Sequence, residues 1–491
     1  VSLIPGSSSL TASDFEGEFE VQSVTDTNNF IIDLESTETG SAFATTGTGT
    51  FAFQINVGPA VSALGYGWGT ATWGASTWGT ARTTSTTVIQ GANWSLDNWG
   101  EDLIATFRDG ATYQWDASAG TGTRAARLTN SPYLSRLSMV SVPDRHLICL
   151  GTQTTIATSG NQDDVYFRWA SQESLTDWTP TTTNTSGSLR IGDGSKIIGA
   201  TKSRGAILVW TDTALHSLQF IGPPYTFGLQ QLGANCGLVA QHACVDVKGN
   251  SFWMSQNGFF IYDGAVKQLA CTVQDYIFST LDPSGQNDIY CGVNTDFHEV
   301  IWFYPDTTSY SNLINKYVIY NYVDQVWTVG TMDRTTWFDR GVYAYPYATQ
   351  YLPNSTTNVA PTITGDLSNG VSTLFSQDNG YNGNGSAITA TITSGDFDIS
   401  DEQAGLVMAV RKFIPDFKNQ SGNVNVIMQF KNYPQGSASS NSSNSVVETT
   451  TTHIDLRGRG RTANVQFSSD TTDSNWRFGT FRLDLQPDGR R

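Results

Sequence analysis

Short runs in which apolar and polar residues alternate, separated by Gly, Asn and Asp, make up most of the chain. That period of two predicts strands joined by turns. Leu103–Phe107 and Thr112–Trp115 flank Asp109-Gly110, a pair that predicts a type I′ turn, in which both central positions take φ > 0. Further strand pairs follow: His146–Leu150 with Val165–Trp169, and Ala206–Trp210 with Leu215–Phe220. Ser251–Ser255 then pairs with Phe259–Tyr262 across Asn257-Gly258, and Glu299–Tyr304 with Lys316–Asn321. The pairs recur about every 45 to 55 residues, the length of a four-stranded propeller blade. The expected fold is therefore all-β, with a β-propeller core over 85–390; two packed sheets or a long β-solenoid would space their strands similarly. The units share no literal sequence repeat.

Helix signals are scarce, because Thr, Ser, Gly and aromatic residues dominate. One short exception is Thr272–Leu281, where Thr272 and Asp275 have capping-box spacing and Val273, Tyr276 and Ile277 share a face.

Three regions flank this core. Residues 1–60 contain no Lys or Arg and eight acids, a charge of −8. They are expected to form a small acidic β insertion module at a tip or outer rim, with Glu18–Val24 and Asn29–Leu34 as a hairpin. Residues 61–84 are rich in Trp and Gly: Trp68, Trp73 and Trp78 recur every five residues, each followed by Gly. A period of five suits neither helix nor sheet, so an irregular loop is expected, its indoles packed on its own domain or on a partner. Residues 391–491 are expected to form a C-terminal β-sheet region that closes the propeller or makes a platform. Its expected strands are Ser394–Ile399, Val407–Phe413, Asn423–Phe430, Thr451–Leu456, Asn464–Phe467 and Trp476–Leu485.

Charge narrows the function classes. The chain carries 44 acids and 27 bases, a formal net charge of −17, which opposes electrostatic adhesion to nucleic acid or anionic membrane. The charge is segregated: residues 396–491 hold 11 acids and 11 bases, so residues 1–395 carry the whole excess. No apolar run reaches the ~18 residues of a membrane span, and the start has no basic signal-peptide region. The sequence starts at Val1 rather than at an initiating Met, so strand counts from the N-terminus are provisional. The five cysteines are odd in number and lack C-x-x-C spacing, which predicts buried free thiols rather than disulfides or zinc.

Nothing in the sequence marks a catalytic residue, a cofactor site or a metal site. His146, His216, His242, His298 and His453 are scattered, and no nucleophile elbow or phosphate loop is present in a strand-to-helix context. A propeller glycosidase would need two carboxylates facing one pocket, and Asp163, Asp164, Asp193 and Glu299 are the candidates. Ser174-Leu-Thr-Asp-Trp178 shares part of an Asp-box but not its residue order. Arg457-Gly-Arg459-Gly-Arg461 places three arginines on one face of a strand. They suit carboxylates of a neighbouring subunit, phosphates, or a charged edge that blocks unwanted strand pairing.

Several stretches together resemble the tail nozzle or hub proteins of podoviruses, the short-tailed bacteriophages, including those called packaged-DNA stabilisation or tail tubular B-like proteins. They include Trp94-Ser-Leu-Asp-Asn-Trp-Gly-Glu-Asp-Leu103, Phe252-Trp253 with Gly258-Phe-Phe-Ile-Tyr-Asp-Gly264, and Glu299-Val-Ile-Trp-Phe-Tyr304. Trp327, Arg334-Thr-Thr-Trp337, Ile414-Pro-Asp-Phe417, the Arg-Gly run and Pro487-Asp-Gly-Arg-Arg491 extend it over roughly residues 60–491. The resemblance implies a non-enzymatic virion protein, a homohexameric ring in the tail, docked to the head-to-tail adaptor and to tail fibres or spikes. Double-stranded DNA would be retained and then pass through without specific binding, and an acidic lumen would not grip it. An acidic surface equally serves solubility. A propeller that binds or hydrolyses glycans is the alternative.

Overall fold

The computed structural model describes residues 21–26, 29–32, 63–64, 88–91, 93–142, 144–156, 161–309, 312–352, 371–383, 385–399, 406–433, 435–438 and 443–490. The chain divides into two units, Val1–Gly58 and Pro59–Arg491. In the first, Val21–Asp26 pairs antiparallel with Asn29–Ile32, with register shifts that add local twist. In the second, Ala63–Leu64 pairs antiparallel with Val88–Ile89. Trp68, Trp73 and Trp78 lie outside the described residues.

Five four-stranded antiparallel sheets follow, each an up-and-down meander whose strands lie in sequence order. They span 94–127 (blade 1), 135–190 (blade 2), 197–234 (blade 3), 244–269 (blade 4) and 290–331 (blade 5). A three-stranded sheet, Thr336–Phe338, Tyr347–Leu352 and Val371–Ser376, comes next. The first strand of each sheet packs beside the first strand of the next. Radial meanders whose inner strands meet in succession define a β-propeller.

The blades are held together by a wedge that repeats in structure more than in sequence. Trp210, Trp253 and Trp302 occupy the second strands of blades 3, 4 and 5, all fully buried. Each pairs with a small residue on its inner strand, Gly199, Cys244 and Cys291 respectively. That leaves room for an indole, and the three join one apolar cluster with Phe259, Ile277 and Val318. Trp210 and Trp253 meet edge to face at 5.4 Å. Buried indole N–H groups need acceptors: Trp253 Nε1 donates to Cys236 O at 2.8 Å and Trp302 Nε1 to Ala243 O at 3.0 Å.

Local details differ from the sequence expectations. At Asp109-Gly110 only Asp109 is left-handed (φ 58°), and the backbone turn closes from Gly110 N to Phe107 O at 3.0 Å. This is not type I′. Gly110 is needed because a Cβ there would run into the Phe107 ring. Across Asn257-Gly258, Gly258 already pairs with Ser255, so the two-residue loop is 256–257. The helix is Gln274–Thr280, with Val273 at its N-cap and no side-chain cap bond, so the Thr272/Asp275 capping box does not form. Ile277 is buried, but Tyr276 turns outward and is 47% exposed. All five cysteines are free; Cys149, Cys236 and Cys291 are buried, whereas Cys244 and Cys271 are partly exposed.

The C-terminal region is a sandwich with a core of its own. One sheet orders Ala390–Thr393, Thr462–Ser469, Val424–Lys431 and Ser443–Val447; the other orders Ile454–Gly460, Leu406–Ile414 and Arg482–Arg490. Val424–Lys431 buries every second residue, as its alternation predicts. Met408, Phe413, Met428, Phe430 and Phe467 fill the space between the sheets. No strand of the sandwich joins a blade sheet among the described residues, so it does not complete a blade. The expected Ser394–Ile399 strand is displaced to Ala390–Thr393, leaving Phe397 only a bridge to Ala463. Trp476–Leu485 divides into Asn475–Phe478 and Arg482–Arg490, which lie in different sheets.

Candidate functional site

Two places concentrate polar chemistry: the propeller centre and the outer face of the sandwich. At the centre, the first strand of blade 1 and the segment leading into it are bonded to four other blades or their approaches. Ser95 Oγ and Asp97 Oδ2 accept from Ser138 N (2.9 Å) and Val140 N (2.7 Å) of blade 2. Lys202 Nζ of blade 3 donates to Asp97 Oδ1 at 2.7 Å. His242, just before blade 4, lies 2.8 Å from Asn93 Oδ1 and 2.9 Å from Trp94 O through Nε2. Gln90 donates to Asn287, at the approach to blade 5, at 3.0 Å, and accepts from Arg108 at 2.9 Å. Side chains therefore cross the centre of the propeller.

Because Trp94 O can only accept, the His242 proton sits on Nε2. The ring keeps slight exposure, yet crowding strips most of its hydration and lowers its pKa to about 4, against 6.5 when free. The unfolded chain consequently binds more protons between these values. His242 stabilises the fold fully above about pH 6.5, and the contribution is lost as pH falls toward 4. Its size is on the order of 3 kcal/mol. Urea unfolding from pH 7.5 to 4 should show this loss, and His242→Gln should flatten it. Equal slopes in both proteins would contradict the assignment.

The structure does not bring the four carboxylate candidates to one pocket. Asp163 is paired with Arg190 at 2.7 Å in blade 2. Asp164 lies 3.5 Å from Arg136, which also faces Asp109. Burial raises the Asp164 pKa against the pull of Arg136. Asp193 sits in the link before blade 3. Glu299 is in blade 5, its pKa raised by burial and by Asp378. One arrangement went unseen in the sequence: Asp144 Oδ2 to His146 Nδ1 at 2.7 Å, and His146 Nε2 to Thr185 Oγ1 at 3.1 Å. The order matches a nucleophile relay, but Asp144 and His146 are 4% and 0% exposed, and Thr185 Oγ1 accepts from Gln172 N at 2.8 Å. It fastens three loops. The Asp144 carboxyl stays below its ordinary pKa because bonds from His146 and Ser141 outweigh the effect of burial.

On the sandwich, Ile454–Gly460 is an edge strand and carries Arg457 and Arg459 outward. Gly458 and Gly460 face inward, and a Cβ at Gly458 would overlap the Phe430 ring. The Arg-Gly alternation thus has one cause per face: solvent outside, a flat aromatic ring inside. Arg461 does not share the face. It is the single residue crossing from this strand to Thr462–Ser469 in the opposite sheet, with its N donating to Lys431 O at 2.9 Å and its guanidinium 5.5 Å from the Tyr433 ring. Arg459 is paired with Asp488 at 2.8 Å. The sequence reading missed Arg411 and Lys412, which flank the same depression of about 490 Å³ as Arg457 and Arg459. The available signal was a break in alternation: buried Met408 and Val410 are two apart, but the next buried residue, Phe413, is three further on.

Neither a protein-family model nor a curated protein matches this sequence. Solved structures to which it is similar include an exo-β-1,3-galactanase from Phanerochaete chrysosporium, at 12% identity over 81% of this chain and 96% of that one, TM-score 0.24. AztD from Citrobacter koseri is similar at 9% identity over 50% of this chain and 74% of its own, TM-score 0.28. BamB from Moraxella catarrhalis is similar at 14% identity over 52% and 78%, TM-score 0.28. Scores this low carry no argument about activity, and the propeller assignment rests on sheet order. No helix among the described residues is long and apolar enough to cross a membrane.

Proposed function

We propose that this chain is a structural subunit of a ring, the tail nozzle of a short-tailed phage, rather than an enzyme. In this reading the ring has six copies, docks to a tail adaptor and to fibres or spikes, and lets double-stranded DNA pass without specific binding. The sequence resemblance supplies the family. The observation that supports a structural role is the bonded propeller centre: Asp97, Asn93 and Gln90 are spent on ties to other blades, and Asp163 and Asp164 on arginines. A duplex has no passage along an axis crossed by those side chains, so the conduit lies between copies and the propellers form its wall. The net charge of −17 suits a wall that must not hold DNA.

Solution mass tests the reading. A closed assembly of six times the 53.3 kDa chain, with a central channel in projection images, is expected. A monomer at every concentration would overturn it, and a specific hit on a glycan array would favour the alternative.

A further inference from the structure

We propose that the outer face of the C-terminal sandwich, centred on Arg411 and Arg457, docks onto the acidic 1–395 portion of a second copy of this chain. The proposal deepens the ring reading and rests on it for the identity of the occupant.

A β-bulge creates this face. Val410 pairs with Gly458 and Lys412 with Asp455, so Arg411 stands opposite both Leu456 and Arg457. The register also shifts against the other neighbour, where Val410 meets Leu485 and Lys412 meets Asp484. The extra residue lets Arg411 and Lys412 both face solvent between buried Val410 and Phe413. A regular strand would have turned one of them into the apolar core. Bulges re-aim side chains in this way, and here the result sets two arginines across from each other. Like charges on facing strands oppose pairing.

Some of the charge on this face is answered within the chain. Arg459 is paired with Asp488 at 2.8 Å, and Lys412 lies 4.0 Å from Asp455. Arg411 and Arg457 make no ion pair or hydrogen bond among the described residues, although both are exposed. Two unanswered guanidiniums beside an edge strand fit carboxylates, which they grip as planar forks. The abundant source of carboxylates is the chain itself. Residues 1–395 carry a net charge of −17, so one copy has carboxylates in excess of its own bases to offer the two unpaired arginines of the next. A second copy and duplex DNA are both repelled at long range by this charge, so the attraction is local to the two arginines, and the ring reading, which brings copies side by side, sets the second copy ahead of nucleic acid as occupant.

The test mixes unlabelled and ¹⁵N-labelled chains and treats them with a carbodiimide, which joins an amine to a carboxylate at bonding distance. Mixed-isotope links from Lys412 to acids within residues 1–395 are expected. In parallel, Arg411→Glu/Arg457→Glu should weaken assembly at least tenfold in mass photometry while leaving thermal unfolding unchanged, because both side chains are exposed. Wild-type assembly by the double variant, or Lys412 links only within one copy, would remove this surface while leaving the ring reading intact. A wild-type chain that never assembles overturns the ring reading instead, and this proposal with it. Salt-sensitive binding of a DNA duplex, measured by fluorescence anisotropy and abolished in the double variant, would reassign the face to phosphate.

Discussion

Trp302→Ala is expected to lower the unfolding free energy by about 3–5 kcal/mol, the cost of truncating a fully buried large aromatic. Trp302 is 0% exposed and touches Phe259 at 4.9 Å between ring centroids, with Trp327 at 6.2 Å. The vacated volume is walled by strands of two blades, which limits collapse around it, and Ala243 O loses one of its two donors, keeping Met254 N at 3.1 Å. Trp302→Phe keeps an aromatic ring while removing the N–H and part of the indole volume, so it should cost less than Trp302→Ala. Trp210 provides the contrast: its Nε1 has no acceptor among the described residues, so Trp210→Phe should cost less than Trp302→Phe. Urea unfolding of the three variants measures this, and a loss under about 1 kcal/mol for Trp302→Ala would refute the wedge as a principal link between blades.

The second large effect is expected at a glycine. Gly458→Ala should destabilise the sandwich by about 1–3 kcal/mol through overpacking, because Phe430 is fully buried and its ring occupies the space a methyl group would need. The neighbouring exposed Arg457→Ala should stay within about 0.5 kcal/mol. If the clash with Phe430 is the cause, Phe430→Leu combined with Gly458→Ala should lose less than the sum of the two single changes, by about 0.5–3 kcal/mol. Strict additivity would place the strain elsewhere.

Strand pairing was legible because blade strands are short and bounded by turn residues. The Glu299–Tyr304/Lys316–Asn321 pair, for example, matches the observed limits. What period two does not encode is where a register slips. The bulge at Arg411 depends on pairing with two neighbours at once, and the strand after Trp476 ends because the chain changes sheets near Gly479, whose Cβ would strike Asp416. Alternation places Arg457 and Arg459 on one strand face, as the structure does, but misplaces Arg461, since it says nothing of a crossing between sheets. The ties at the propeller centre were invisible for a different reason. Gln90, Asn93, His242 and Asn287 are ordinary polar residues up to 197 positions apart, and only the folded propeller makes them neighbours.

Those ties have a mechanical meaning. A ring of blades pulled sideways fails where two blades part, as a barrel fails between staves. Here the first strand of blade 1 and the segment entering it act as a hub with a spoke to each of blades 2 to 5 or its approach. A blade cannot swing out of the circle until its spoke breaks, so load applied at one rim is shared by all. The propeller should give way as a whole rather than peel open blade by blade.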